Sequence, residues 1–115
     1  MVERLHSGPR MSQAVVHNDT VYLAGQVAAD PATDVAGQTR QVLAAIDALL
    51  AAAGTDKTRI LSANIYLADI GTFAQMNSVW DGWVDPANPP ARATGESRLA
   101  APEYKVEIIV TAACD

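Results

Sequence analysis

The chain has 115 residues and a mass of 12.1 kDa, which fits a single domain, residues 1–115, with one continuous core. Thirteen acidic and eight basic residues give a formal charge of −5, and the basic residues are spread thinly, which argues against general nucleic-acid binding. No apolar run approaches the roughly 20 residues needed to span a bilayer. Met1–His6 lacks the apolar stretch of a signal peptide, and the single cysteine, Cys114, has no internal partner, so the expected setting is reducing and cytoplasmic.

The first predicted elements are two β-rich runs within Val15–Leu23, joined as a hairpin by the polar turn His17-Asn18-Asp19-Thr20. Gly25-Gln26 ends the second run. From about Asp34 to Ala53 a helix is expected, because Val35, Val42, Leu43, Ile46, Leu49, Leu50 and Ala53 recur at steps of three and four. Thr33 or Asp34 can cap its start, and Gly54 suits the left-handed residue beyond its end. Ile60–Ala68 is short and rich in apolar residues and predicts a largely buried strand. Thr72-Phe73-Ala74-Gln75 has the spacing of a capping box and opens a second helix with Phe73, Met76, Trp80 and Trp83 (or Val84) on its buried side. The prolines at 86, 89 and 90 force a loop. Two last strands follow, about Ala91–Leu99 and Tyr104–Ala113. The expected fold is α+β, in the order β-β-α-β-α-β-β, with two helices on one face of a mixed sheet.

Strand alternation puts Arg92, Thr94, Glu96 and Arg98 on one face, opposite Ala93, Gly95, Ser97 and Leu99. It likewise separates Lys105, Glu107, Ile109 and Thr111 from Val106, Ile108 and Val110. With the helices over the second set of each strand, Arg92 and Glu107 would share the uncovered face, together with Ala63, Ile65 and Leu67. One reading of such a face is plain solvent exposure. The other is burial against a second subunit, since an apolar surface with a few placed charges is suited to an interface cleft.

Several segments together resemble the RidA/YjgF/endoribonuclease L-PSP family: Ser12-Gln13-Ala14-Val15, Val21–Val27, Gln38–Leu43, Ala52-Ala53-Gly54, Ile65–Asp69, Phe73–Asn77, Pro90-Ala91-Arg92 and Val106-Glu107-Ile108. They run in the family's order over residues 8 to 113. The resemblance implies a chorismate-mutase-like fold, a homotrimer with an inner β-barrel, and clefts at the subunit interfaces. It also implies hydrolysis of reactive imines, formed from 2-aminoacrylate-like enamines, to 2-keto acids and ammonia.

Carried over residue by residue, the resemblance makes Arg92 the substrate's carboxylate anchor. The chemistry is apt, because a guanidinium fork binds a carboxylate at two points and an ammonium cannot. Glu107 is implied to hold and polarise the attacking water. Gly25 is implied to contact substrate through its backbone, Thr94 through its amide, and Asn77 from the second helix. Each also has a plainer reading: a surface ion pair for Arg92, a solvated strand carboxylate for Glu107, a strand end for Gly25, a structural hydrogen bond for Asn77. The chain departs from the family at Gly8-Pro9-Arg10-Met11, where many members carry a cleft-lining tyrosine. Arg10 could there admit a dicarboxylate or be merely solvated, and Gly95 replaces a commonly larger residue.

No metal is expected, since His6 and His17 have no acidic or thiol neighbours at ligand spacing. No cofactor is expected either, since the chain lacks a phosphate-cradling glycine loop; Ser/His/Asp chemistry would need a strained nucleophile turn, which is also missing. The expected function is therefore an imine/enamine deaminase, with two alternatives: a non-catalytic trimer binding a small carboxylate or keto acid, and an endoribonuclease. The acidic balance weighs against the last.

Overall fold

Burial alternates along two strands, Ile60–Leu67 and Val106–Ala113, and both lie inside the sheet rather than at its edges. The computed structural model describes all 115 residues. Its elements are β1 (Val2–Ser7), β2 (Ser12–His17), β3 (Thr20–Leu23), α1 (Val35–Ala52), β4 (Ile60–Leu67), α2 (Phe73–Trp83), β5 (Ala91–Glu96) and β6 (Val106–Ala113). The six strands form one sheet in the order β1-β2-β3-β6-β4-β5. Every pairing is antiparallel except β4–β5, which is parallel and crosses over through α2. The sheet is therefore mixed, with both helices on one face, as expected. Its thickness of 20 Å is that of one sheet and one helix layer.

The β2–β3 hairpin closes through Asn18-Asp19, with Asn18 at φ 56°, a conformation asparagine tolerates. Asp34 caps α1 by accepting from the Gly37 amide at 2.9 Å. Gly54 follows the helix end at φ +80°. α1 buries Val35, Val42, Leu43, Ile46, Leu49 and Leu50 against Val106, Ile108, Val110 and Ala112 of β6 and Ala63, Ile65 and Leu67 of β4. Truncating a fully buried member such as Ile46 or Leu50 to alanine would cost about 2–5 kcal/mol. No helix is long and apolar enough to cross a membrane.

The structure corrects several expectations. An additional edge strand, β1, pairs with β2; its residues are mostly exposed, so no apolar alternation announces it. β5 ends at Glu96 rather than Leu99, because its partner β4 stops at Leu67, whose carbonyl takes the Ser97 amide as the last bond. β6 begins at Val106 rather than Tyr104, because the Lys105 amide is diverted to the side chain of Gln38. The capping box at Thr72 does not form. Thr72 closes a 3-10 turn over Ile70–Thr72, and its hydroxyl donates back to the Asp69 carbonyl, so no side chain caps α2. Phe73, expected in the core, is 38% exposed.

The face assignment changes most. The parallel register sets Arg92 beside Ala63, Thr94 beside Ile65 and Glu96 beside Leu67, and those three β4 residues are buried under the helices. Arg92 therefore lies on the helix side of the sheet, while Glu107, beside Tyr66, lies on the open side. Ala63, Ile65 and Leu67 align with Val110, Ile108 and Val106, not with Ile109. Alternation sorts residues into two sets, but at an edge strand it does not say which set the helices cover. Nothing in the chain covers the open face, where Tyr22 (50% exposed) and Tyr66 (37%) stand beside Ile109, Asn64 and Glu107.

Candidate functional site

The chemistry-bearing residues fall into two groups on opposite faces of the sheet. The first surrounds Arg92. Phe73, Asn77 and Trp80 recur on α2 at steps of four and three, so they form one stripe. The parallel crossover lays that stripe over β5. Arg92 Nη1 donates to Asn77 Oδ1 at 2.7 Å. The guanidinium carbon lies 5.3 Å from the centre of the Trp80 ring and 5.8 Å from that of Phe73, within cation–π range of both. The chain's single ion pair joins Arg59 to Asp115, so Arg92 is a half-buried cation with no carboxylate partner. Of its five donor hydrogens, one is engaged by Asn77. An aromatic-framed guanidinium with free donors is suited to taking a carboxylate at two points. Thr94 shares this side of the sheet, two residues along β5, and its buried hydroxyl has no hydrogen-bond partner.

The second group surrounds Glu107. β3 proper ends at Leu23, but the chain touches β6 again through a two-way bridge: Gln26 N to Ile108 O at 2.9 Å and Ile108 N to Gln26 O at 3.1 Å. Tyr22 pairs with Thr111, so the β3 side advances four residues while β6 advances three. The extra residue is a bulge, a device that bends a strand and re-aims its neighbours. It brings Gly25 against Glu107, whose carboxylate occupies the space where a side chain at Gly25 would begin. Gln26 Nε2, bonded to Gln13 Oε1 at 2.9 Å and to the Ala24 carbonyl at 3.0 Å, braces this segment.

The two groups do not meet within one chain. Arg92 and Glu107 are separated by β4, which places their strands roughly 10 Å apart. They also sit three register positions apart and point to opposite sides. The largest concavity, about 700 Å³ beneath the Ser97–Pro102 loop, contains neither residue. Arg10 lies in the β1–β2 connection at the far edge of the sheet from β5, so it cannot reach Arg92 of its own chain. No cluster of three or more His, Cys, Asp or Glu side chains is gathered at ligating distance anywhere in the chain.

Sequence reasoning missed Trp80 and Phe73 as site residues, because aromatic residues on a helical stripe read as core. The available signal was Asn77 in the same stripe, a polar residue between two rings that suggests a polar neighbour above it.

Comparison with known proteins matches residues 1–114 to the family model described as endoribonuclease L-PSP. A RutC family protein from Haemophilus ducreyi is 48% identical over 113 residues, covering 98% of this chain and 97% of that protein. The crystal structure of a YjgF-family protein from Neisseria meningitidis superposes with a TM-score of 0.97 at 45% identity, covering 100% of this chain and 96% of that one. A more distant relative from Bos taurus is named 2-iminobutanoate/2-iminopropanoate deaminase; it is 36% identical over 103 residues, covering 84% of this chain and 74% of that protein.

Proposed function

We propose that this chain, which belongs to the endoribonuclease L-PSP (YjgF) family, hydrolyses reactive imino acids of the 2-iminopropionate type to 2-keto acids and ammonia. The observation that carries the reading is Arg92: half-buried, framed by Trp80 and Phe73, held by Asn77 and without a counter-ion. A buried cation is costly unless something compensates it, and a substrate carboxylate supplies that compensation. The bovine relative's name supports the same chemistry.

The chemistry requires a water beside the imine carbon. Glu107 accepts a proton from that water as its oxygen bonds to carbon. The C=N π pair moves to nitrogen, which takes that proton back from Glu107 and gives a carbinolamine. The hydroxyl proton then passes to nitrogen, the C–N bond breaks as the C=O bond forms, and ammonia leaves. The strand separation keeps Arg92 and Glu107 of one chain off the same small substrate. We therefore place each site between chains, with Arg92 of one subunit facing Glu107 of the partner subunit in a homotrimer. The open face bearing Tyr22, Tyr66 and Ile109 is the surface such an assembly would cover.

The test supplies 2-iminopropionate, generated in situ by an amino-acid oxidase, and follows keto-acid release. The wild type should exceed the uncatalysed rate, Arg92→Ala should not, and equal rates for both would refute the reading. A second reading, ligand capture without turnover, draws on the separation of Arg92 from Glu107 within one chain. It predicts that 2-oxobutyrate binds with Arg92-dependent affinity, that Glu107→Gln leaves binding unchanged, and that no imine is consumed.

A further inference from the structure

We infer that Gly25 is a positioning residue for Glu107: its missing side chain is the slot in which the Glu107 carboxylate lies. The inference rests on the reading of Glu107 as the water-holding base. A Cβ built at Gly25 would stand 1.9 Å from Glu107 Oε2, 2.9 Å from Cδ and 3.2 Å from Cγ. The first two are overlaps and the third a tight contact, and all three nearest atoms belong to that one side chain. The backbone cannot retreat easily, because the bulge and the Gln26–Ile108 bridge pin Gly25 against β6. The Glu107 carboxylate is in no ion pair of the chain, and the atom that meets the Gly25 Cβ most closely is the far end of its flexible side chain. Its placement over Gly25 is therefore steric.

Glycine here does not serve backbone conformation. Gly54 is the one glycine with positive φ, so alanine at position 25 keeps an ordinary backbone. Gly25→Ala should then fold normally and swing the Glu107 carboxylate out of its slot. A residue that only lets substrate approach the backbone would behave differently, because its replacement would weaken binding whatever stood at position 107.

The experiment compares wild type, Gly25→Ala, Glu107→Ala and the double variant. Gly25→Ala should keep its melting temperature within about 3 °C and its KM within about twofold, while kcat falls at least about tenfold, part of the 10²–10⁴ that a positioned base contributes. In the Glu107→Ala background no side-chain atom remains in the slot, so adding Gly25→Ala should change the residual kcat less than about twofold. The ¹³C resonance of the Glu107 carboxyl should move in Gly25→Ala, a readout that needs no turnover. An unmoved resonance overturns the positioning role, and so does an equal loss of kcat in both backgrounds. If the wild type shows no imine turnover but the resonance moves, the steric role stands and the deaminase reading fails separately.

Discussion

Gln38 is fully buried at the start of α1, and its replacement should destabilise the protein by a calculable amount. Its Nε2 donates to the carbonyls of Pro31 and Glu103, each at 3.0 Å, and more weakly to Thr33 at 3.3 Å; its Oε1 accepts the Lys105 amide at 2.9 Å. One side chain thus ties the loop before α1 to the segment that opens β6, two residues before Glu107. Gln38→Leu preserves most of the volume but removes two donors and one acceptor. At about 1 kcal/mol net per hydrogen bond the cost is about 3 kcal/mol. For a domain of this length that lowers the melting temperature by about 12 °C. Gln38→Glu should be worse at neutral pH, since it sets a carboxylate against three carbonyl oxygens. Calorimetry at one fixed protein concentration measures both, because assembly would couple stability to concentration. A Gln38→Leu shift under about 3 °C, or Gln38→Glu more stable than Gln38→Leu, would refute the reasoning.

Arg92→Lys keeps the charge but loses the two-point fork, so kcat/KM for 2-iminopropionate should fall about 10- to 100-fold, the worth of one charged hydrogen bond; a lysine variant within twofold of wild type would contradict the anchor role. Asn77→Ala frees the guanidinium from its one acceptor and should raise KM about tenfold with little change in kcat, read from the same assay. Acid stability should depend on two surface carboxyls. The Thr58 hydroxyl and then its amide hold Asp56 below the usual carboxylate range, and the Asn88 amide group and then the Ala87 N–H do the same for Asp85. Both groups bind protons more weakly folded than unfolded. Their contribution is therefore complete above the ordinary value of 3.8 and is lost as pH falls through it towards the lower folded values. The double variant Asp56→Asn, Asp85→Asn should lose less stability than wild type between pH 5 and about 2, measured by urea unfolding, and parallel curves would contradict the assignment.

The helices and the central strands were legible because their apolar residues recur at the period of the element that buries them. α1 and its Asp34 and Gly54 ends, β4 and most of β6 follow from that rule. β1 was not legible, since an edge strand with exposed residues carries no burial pattern. Arg92, Asn77, Thr94, Gly25 and Glu107 stood out through their resemblance to a known family. Their grouping did not, because it depends on register. Arg92 faces α2 only because β5 runs parallel to β4 with Arg92 beside Ala63, and a one-residue slip would reverse it. The contact of Gly25 with Glu107 depends on a bulge, a single extra residue that no local pattern marks. Trp80 and Phe73 read as core because aromatic rings on a stripe usually are core, and here those rings also face a cation.

The central claim is that one chain supplies Arg92 and another Glu107 to each site, and mixed assemblies test it directly. Arg92→Ala and Glu107→Gln proteins, each inactive alone, are unfolded together in equal amounts and reassembled, with hybrid formation confirmed by native mass spectrometry. If sites are shared between subunits, random mixing pairs an intact Arg92 with an intact Glu107 at about one site in four, so about a quarter of wild-type imine hydrolysis should return. Hybrids that form and stay as inactive as either parent would contradict it.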